Sequence, residues 1–518
     1  MSILRAVATV GGFTMISRVT GFARDVLIAA ILGAGPVADA FFVAFKLPNF
    51  FRRLTAEGSF TVAFVPMFAG MLEADGKIIA MRFAEEAFAL MAALLLAFCV
   101  AVMLFMPEVM TVLAPGFVDT PERFDLAVEL TRVTFVYLPL ISLVALLGGV
   151  LNSVGKFAAM ASAPILLNLI LISSLAVFAE ALDTPGHVLA WGVALAGLAQ
   201  FLWLLEACRR SGVLPRWRLP RWTPRMSQLF RLMLPAMLGA AVVQINLLID
   251  VILASTLPTG SVSFLYYADR VNQLPLGVVG VAIGTALLPS LSRQIRAGKD
   301  VEAQNGQNRG LELAMLLTLP AAAGLMVLAG PIVEVLFERG AFEAEAANQT
   351  ALALAAYAAG LPAFVLIKVF QPGFFARQDT KTPVKIAAVA VVVNLILNLI
   401  LMQYYAHVGL AMATAISAWM NTAALALLLN RRGYYSVDDR ALSRIARTFG
   451  AVVVMTLGLI GGLEMTRDWL NGPAIQITLA LALLVIGGVS VFTIAAFLFG
   501  AVRLEEIRDA LRRRARGR

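Results

Sequence analysis

Apolar stretches of about twenty residues follow one another along the whole chain, broken by short polar loops, as expected of helices that cross a bilayer. The pattern predicts an all-α integral membrane protein with fourteen spans, at 8–33, 37–68, 87–106, 131–151, 160–179, 188–206, 232–257, 262–292, 312–332, 349–375, 385–402, 408–429, 449–466 and 475–500. The span 37–68 is too long for a straight crossing along the membrane normal and is expected to tilt, bend or project. The loops are short, so no soluble catalytic domain fits between spans, and no enzymatic activity is expected.

Loop charge tests the count. One set of loops holds Arg209, Arg210, Arg216, Arg218, Arg221, Arg225 and Arg231, then Arg293, Arg296 and Lys299, then Arg377, Lys381 and Lys385, and the basic tail 503–518. The opposite set carries Glu108, Asp119, Glu122, Asp125, Glu180, Asp183, Glu334, Glu338, Glu343 and Glu345, with few basic residues: Arg123, Arg339 and Arg467. This alternation predicts a multi-pass protein with the basic side and both termini cytoplasmic.

Composition agrees. Of 518 residues 60% are hydrophobic and 14% charged, which excludes a soluble protein of this length. The net charge of +9 follows from the basic loops, so no nucleic-acid partner is expected. Two cysteines (Cys99, Cys208) and two distant histidines (His187, His407) cannot build a disulfide framework or a histidine metal site. Arg18 interrupts the first apolar run, so no cleavable signal peptide is expected.

The segment beyond the basic loop 207–231 repeats features of the beginning. Asp25-Val-Leu-Ile-Ala echoes Asp250-Val-Ile-Leu-Ala at an offset of 225, Phe41-Phe42 falls on Tyr266-Tyr267, and Asn168-Leu-Ile-Leu echoes Asn394-Leu-Ile-Leu at 226. This predicts two six-helix lobes related by duplication, 1–206 and 232–430, joined by the cytoplasmic linker 207–231. Six helices separate the copies, so the halves share one orientation, with a substrate path between them. Two further helices in 431–502 lie outside the repeat; they must pack on its surface and could form an added lipid-side groove.

Charge inside an apolar span costs several kcal/mol and marks a pathway or a pair. Here it concentrates in Arg18, Arg24 and Asp25 of the first span, Asp39, Lys46, Arg52, Arg53 and Glu57 of the second, and Asp269 and Arg270 of the eighth. Arg18 and Asp25 are seven residues apart and share a helix face. Guanidinium groups stay charged and match phosphate oxygens bidentately. The excess of cations over acids therefore points to an anionic, diphosphate-like head group; pairing of each arginine with a neighbouring acid is the alternative. Asp250, Asn394 and Asn398 could bind a sodium ion or relay a proton, or could simply bridge packed helices. The chain has no phosphate-binding glycine-rich loop. The expected drive is therefore a Na+ or H+ gradient or the membrane potential, with no cofactor.

The stretches Ser17–Asp25 (SRVTGFARD), Asp39–Gly58 (DAFFVAFKLPNFFRRLTAEG), Ala114–Phe117 (APGF), Tyr266–Arg270 (YYADR) and Pro372–Lys385 (PGFFARQDTKTPVK) resemble the MurJ/MviN family of lipid II flippases. The resemblance runs from the start to the last helices and is most specific in the first 70 residues. It implies two lobes around a cavity and two extra helices holding a lipid tail. It implies that Arg18, Arg24, Arg52 and Arg270 recognise substrate, assisted by Asp25, Asp39, Lys46 and Glu57. It implies a bacterial inner membrane and a role in peptidoglycan assembly; the expectation is a monomer in membrane lipid that flips lipid II by alternating access. Where relatives can carry an acid in the eleventh helix, this chain has Asn398. The rival readings are a flippase for another polyprenyl-diphosphate-linked glycan, an ion-coupled exporter of the same superfamily, and a membrane transferase, which would need clustered acids for a metal.

Overall fold

Residues 3–54 and 60–502 are described in the structure, a computed structural model. Among them no strand occurs, and ten helices are long and apolar enough to cross a membrane. The chain is an integral membrane protein. It divides into two compact units: Met1–Ser263 with Arg339–Glu343, and Phe264–Glu338 with the chain from Ala344 onward.

In the first unit, α1 (Ile3–Leu32) ends at Gly33 and packs on α8 (Ala158–Phe178). Helix α2 (Pro36–Arg52) starts with proline at its first position, where no amide hydrogen is needed, and packs on α6 (Pro121–Phe135). The expected continuous span 37–68 is divided: α2 ends at Arg52 and α3 runs Thr61–Ala74. Pro48 removes one internal hydrogen bond near the end of α2, and the helix gives way to a wider turn at 53–54. Phe60, Phe64 and Phe68, four residues apart on one face, stack on one another at centroid distances of 4.9 and 5.6 Å, and Phe64 also stacks on Phe83 of α4 (Lys77–Leu104) at 5.3 Å. Helices α5 (Met106–Leu113), α7 (Tyr137–Ser153), α9 (Pro185–Arg210) and α10 (Pro224–Ser255) complete this unit. Because α10 packs on α2, α3, α4 and α5, the linker 207–231 lies inside the first unit.

The second unit holds most of α11 (Ser261–Arg296), then α12 (Asp300–Val327), α13 (Ala329–Phe337), α14 (Ala344–Phe375) and α15 (Lys381–Arg431). Their shared core includes Leu287, Leu311, Val365, Phe370, Phe374 and Leu425. Helix α15 covers two expected spans, and its backbone breaks at Ala406 (φ 47°, ψ −129°). Helix α16 (Asp439–Met465), the short α17 (Arg467–Leu470) and α18 (Ala474–Leu498) follow, and Met455, Leu459 and Leu484 pack with Ala323 and Leu328 of the second unit.

Candidate substrate-binding site

Arg24 and Asp25 of α1 are locked into a single constellation. Arg24 is 8% exposed; its Nε and Nη2 donate to Asp25 Oδ1 at 3.0 and 2.6 Å, and its Nη1 donates to Asn168 Oδ1 at 2.9 Å. Asn168, on α8, uses its amide nitrogen to reach the Ser17 carbonyl at 2.9 Å and Thr20 Oγ1 at 3.1 Å. The guanidinium is thus held at fixed height between two helices, with its charge shared by one carboxylate. Arg18 lies on the same helix and is exposed. On α2, Lys46 and Arg52 are half-buried, and Arg52 Nε donates to Asn49 Oδ1 at 3.2 Å, one turn away. Glu57 lies outside the described residues.

Asp39 is placed differently. It is fully buried, and its carboxylate accepts from Arg123 Nη2 at 2.5 Å, Gly260 N at 2.7 Å, Ser263 N at 2.9 Å and Ser263 Oγ at 2.6 Å. A carboxylate offers about four acceptor sites, so these donors saturate it. It caps the N-terminus of α11, where exposed amide hydrogens favour an anion. Arg123, itself 5% exposed, stacks over the Phe117 ring at 3.8 Å. In this arrangement Asp39 is a buried structural acid rather than a group open to a ligand.

Arg270 belongs to the second unit, half-buried, 4.8 Å over the Tyr266 ring and 3.9 Å from Asp269. Of the ion-site residues, Asp250 is half-buried in α10 of the first unit. Asn394 and Asn398 are buried in α15, where Asn398 Nδ2 donates to Asn394 Oδ1 at 3.1 Å. Asn394 in turn reaches Thr414 Oγ1 at 3.5 Å. No group of three or more His, Cys, Asp or Glu residues that could hold a metal ion occurs among the described residues.

Sequence reasoning missed four residues here. Arg123 reads as an ordinary loop-side cation, yet it neutralises Asp39. Asn168 stands out only as a repeat marker, yet it orients Arg24. Thr414 is one more small polar residue in an apolar helix. Lys368 offered a signal, since it is a lone cation between Ile367 and Val369 of an apolar span. It is half-buried on α14, with Nζ about 3.2 Å from the position a side chain on Gly280 would take.

Membrane-length helices and a framework of polar side chains held between them give this chain the fold of polytopic membrane transporters. A solved structure described as lipid II flippase MurJ in an inward closed conformation superposes with a TM-score of 0.79 at 23% identity, covering 95% of this chain and 98% of that one. An inward-facing multidrug resistance MATE family transporter of the MOP superfamily gives 0.66 at 15% identity, covering 83% and 98%. The chain belongs to the lipid II flippase MurJ family, whose profile matches residues 28–480. A probable lipid II flippase MurJ of Rhizobium tropici is 44% identical over 99% of this chain and 97% of its own length. A lipid II flippase MurJ of Burkholderia cenocepacia is 36% identical over the whole of both chains.

Proposed function

We propose that this protein flips lipid II, the undecaprenyl-diphosphate-linked disaccharide peptide, from the cytoplasmic to the periplasmic leaflet of the bacterial inner membrane. It does so by alternating access and without covalent chemistry. In this reading the chain is a monomer that crosses the bilayer fourteen times with both termini cytoplasmic. Two duplicated six-helix lobes hold the head group, and the two extra helices hold the lipid tail.

The observation that carries the reading is the Arg24–Asp25–Asn168 constellation. A guanidinium buried inside a membrane helix and oriented from two sides is costly to maintain. Asp25 neutralises it while the site is empty of phosphate. An arriving diphosphate brings more charge than one carboxylate and competes for the same fork. Arg18, Arg52, Arg270, Lys46 and Lys368 then supply further positive charge for a group that could not otherwise cross hydrocarbon. Asp250, Asn394, Asn398 and Thr414 offer oxygens suited to Na+ coupling, although Asn398 and Asn394 already satisfy one another in part. A proton gradient or the membrane potential would serve equally.

The test is the sidedness of lipid II in proteoliposomes, with and without sodium and a membrane potential. Wild-type protein should move lipid II between leaflets without altering it chemically. Arg24→Ala removes charge-assisted hydrogen bonds worth roughly 1.5–3 kcal/mol each, so transport should fall by about ten- to a hundredfold. Arg24→Lys, which keeps the charge and loses the fork, should fall between. Wild-type rates in a folded Arg24→Ala protein would refute the assignment.

A further inference from the structure

Between α9 and α10 the chain leaves the helical fold at Ser211 and returns at Pro224. Two acids of α4 bond to this strap. Glu85 accepts from the Arg216 backbone amide at 3.3 Å and from the Arg218 guanidinium, while Glu86 accepts from Thr223 Oγ1 at 3.1 Å. Trp217 meets Phe88 edge-on at 6.1 Å, and Trp222 stacks on Phe230 at 5.1 Å. The other side of the strap is open and apolar: Trp217 is 69% exposed, Leu219 73% and Trp222 62%. Interspersed with them, Arg216 and Arg221 are exposed, as is Arg231 on the following helix. None of these three guanidiniums makes an ion pair among the described residues.

We propose that this face docks on the head-group layer of an anionic phospholipid leaflet, so that the strap is a membrane-surface anchor rather than a water-borne linker. Three features of the strap select this partner. It continues directly from a membrane-length helix, α9, so that end lies near the bilayer boundary. Indole rings with one apolar and one polar edge favour that boundary. The two acids beneath the strap are both engaged by it, so the field it presents outward is positive, and phosphate diesters of anionic lipids complement arginine there. Glu85 has a specific task in this arrangement: it fixes the strap's outward face by bonding both the backbone and a side chain of the strap.

The proposal is independent of the transported substrate and is tested without it. The full-length protein is placed in nanodiscs of phosphatidylcholine alone or with phosphatidylglycerol, and tryptophan emission is quenched by lipids brominated near the head group or by aqueous acrylamide. Wild-type protein should show a lipid-quenched component that disappears in W217F/W222F and weakens in E85Q, which removes neither ring. Enrichment of phosphatidylglycerol over phosphatidylcholine at the protein should fall about fivefold for each arginine neutralised in the series R216Q, R221Q and R231Q. Quenching of Trp217 and Trp222 by acrylamide but not by lipid would overturn the proposal. So would shielding of both rings from both quenchers, which would indicate a protein partner, or an unchanged lipid preference in the folded triple variant. The tryptophan and arginine readouts are separate, so misfolding of one variant leaves the other decisive.

Discussion

Arg24 and Asp39 are both buried charges, yet they are built for opposite purposes. Arg24 donates to one carboxylate, Asp25, and to the amide oxygen of Asn168, and under the proposed function a diphosphate would compete for that fork. Asp39 receives four donors and has nothing left to offer. Removing one member of a buried pair strands the other, which costs about 3–5 kcal/mol. Asp39→Ala should therefore destabilise the protein by that order, read as a lowered midpoint of thermal unfolding, because Arg123 would remain desolvated. Asp39→Asn keeps an acceptor and should cost less. A second carboxylate titrates in the loop after α14. Asp379 is held down at about 2, first by Thr382 at its own loop and then by Arg432. A depressed acid contributes stability above its ordinary value, and that contribution is lost as pH falls toward the folded value. The melting midpoint should thus be flat from pH 7 to about 5 and drop between about 4 and 2, with Asp379→Asn flattening part of that drop. Sequence reading could identify the charged residues in spans because hydrocarbon makes each one conspicuous. It could not sort Asp39 from Arg24, because the sorting depends on Gly260, Ser263 and Asn168, which lie more than a hundred residues away and look unremarkable.

Most expected spans reappear as helices because an apolar run long enough to cross a bilayer has few other ways to satisfy its backbone. The spans expected at 160–179 and 475–500 are α8 and α18 within two residues at either end. What hydropathy does not reveal is the division of the span 37–68 into α2 and α3. The break expected between the spans 385–402 and 408–429 falls at Ala406, where a residue carrying a side chain takes a conformation suited to glycine. Ala406→Gly should relieve roughly 1 kcal/mol of backbone strain and raise the melting midpoint. The opposite outcome is expected at the end of α1. Ala341 donates its amide hydrogen to the Ala30 carbonyl at 2.8 Å, and Gly33 (φ 65°) and Gly340 (φ 59°) make the close approach possible. A side chain at Gly33 would meet the Ala341 carbonyl carbon at 2.9 Å, and one at Gly340 would meet the Ala30 carbonyl. Gly33→Ala must therefore lose more than the ~1 kcal/mol that left-handed backbone alone costs. Hydrogen exchange at the Ala341 amide should accelerate in that variant, and exchange at the wild-type rate would show that the contact yields without cost.

At the scale of the whole chain, the question is what keeps α16 and α18 attached to the second unit. In water, the packing of Leu459 and Leu484 with Leu328 would suffice, but in a bilayer lipid tails compete for such surfaces and apolar contact gives little net drive. The polar cluster at one end of α12 must then do most of the holding. Glu312 meets Arg309, Arg440 at 3.7 Å and Arg444 at 3.4 Å, while Asp438 also meets Arg309 and caps α16 by accepting from Ala441 N at 2.6 Å. Tyr435 adds a hydrogen bond to Asn308 at 2.8 Å. One carboxylate is thus placed among three guanidiniums, and its loss would leave mutual repulsion in place of attraction. Glu312→Gln should raise hydrogen exchange along the first turns of α16 by about tenfold, equivalent to roughly 1.4 kcal/mol of local stability. The core around Phe370 and Leu425 should keep its protection, because its contacts are apolar. Asp438→Asn should have the smaller effect, since an asparagine still caps a helix. Unaltered exchange in α16 of the Glu312→Gln protein would mean that the charge of Glu312 is not what retains the two helices. The groove expected for a lipid tail would then owe its position to shape and not to charge.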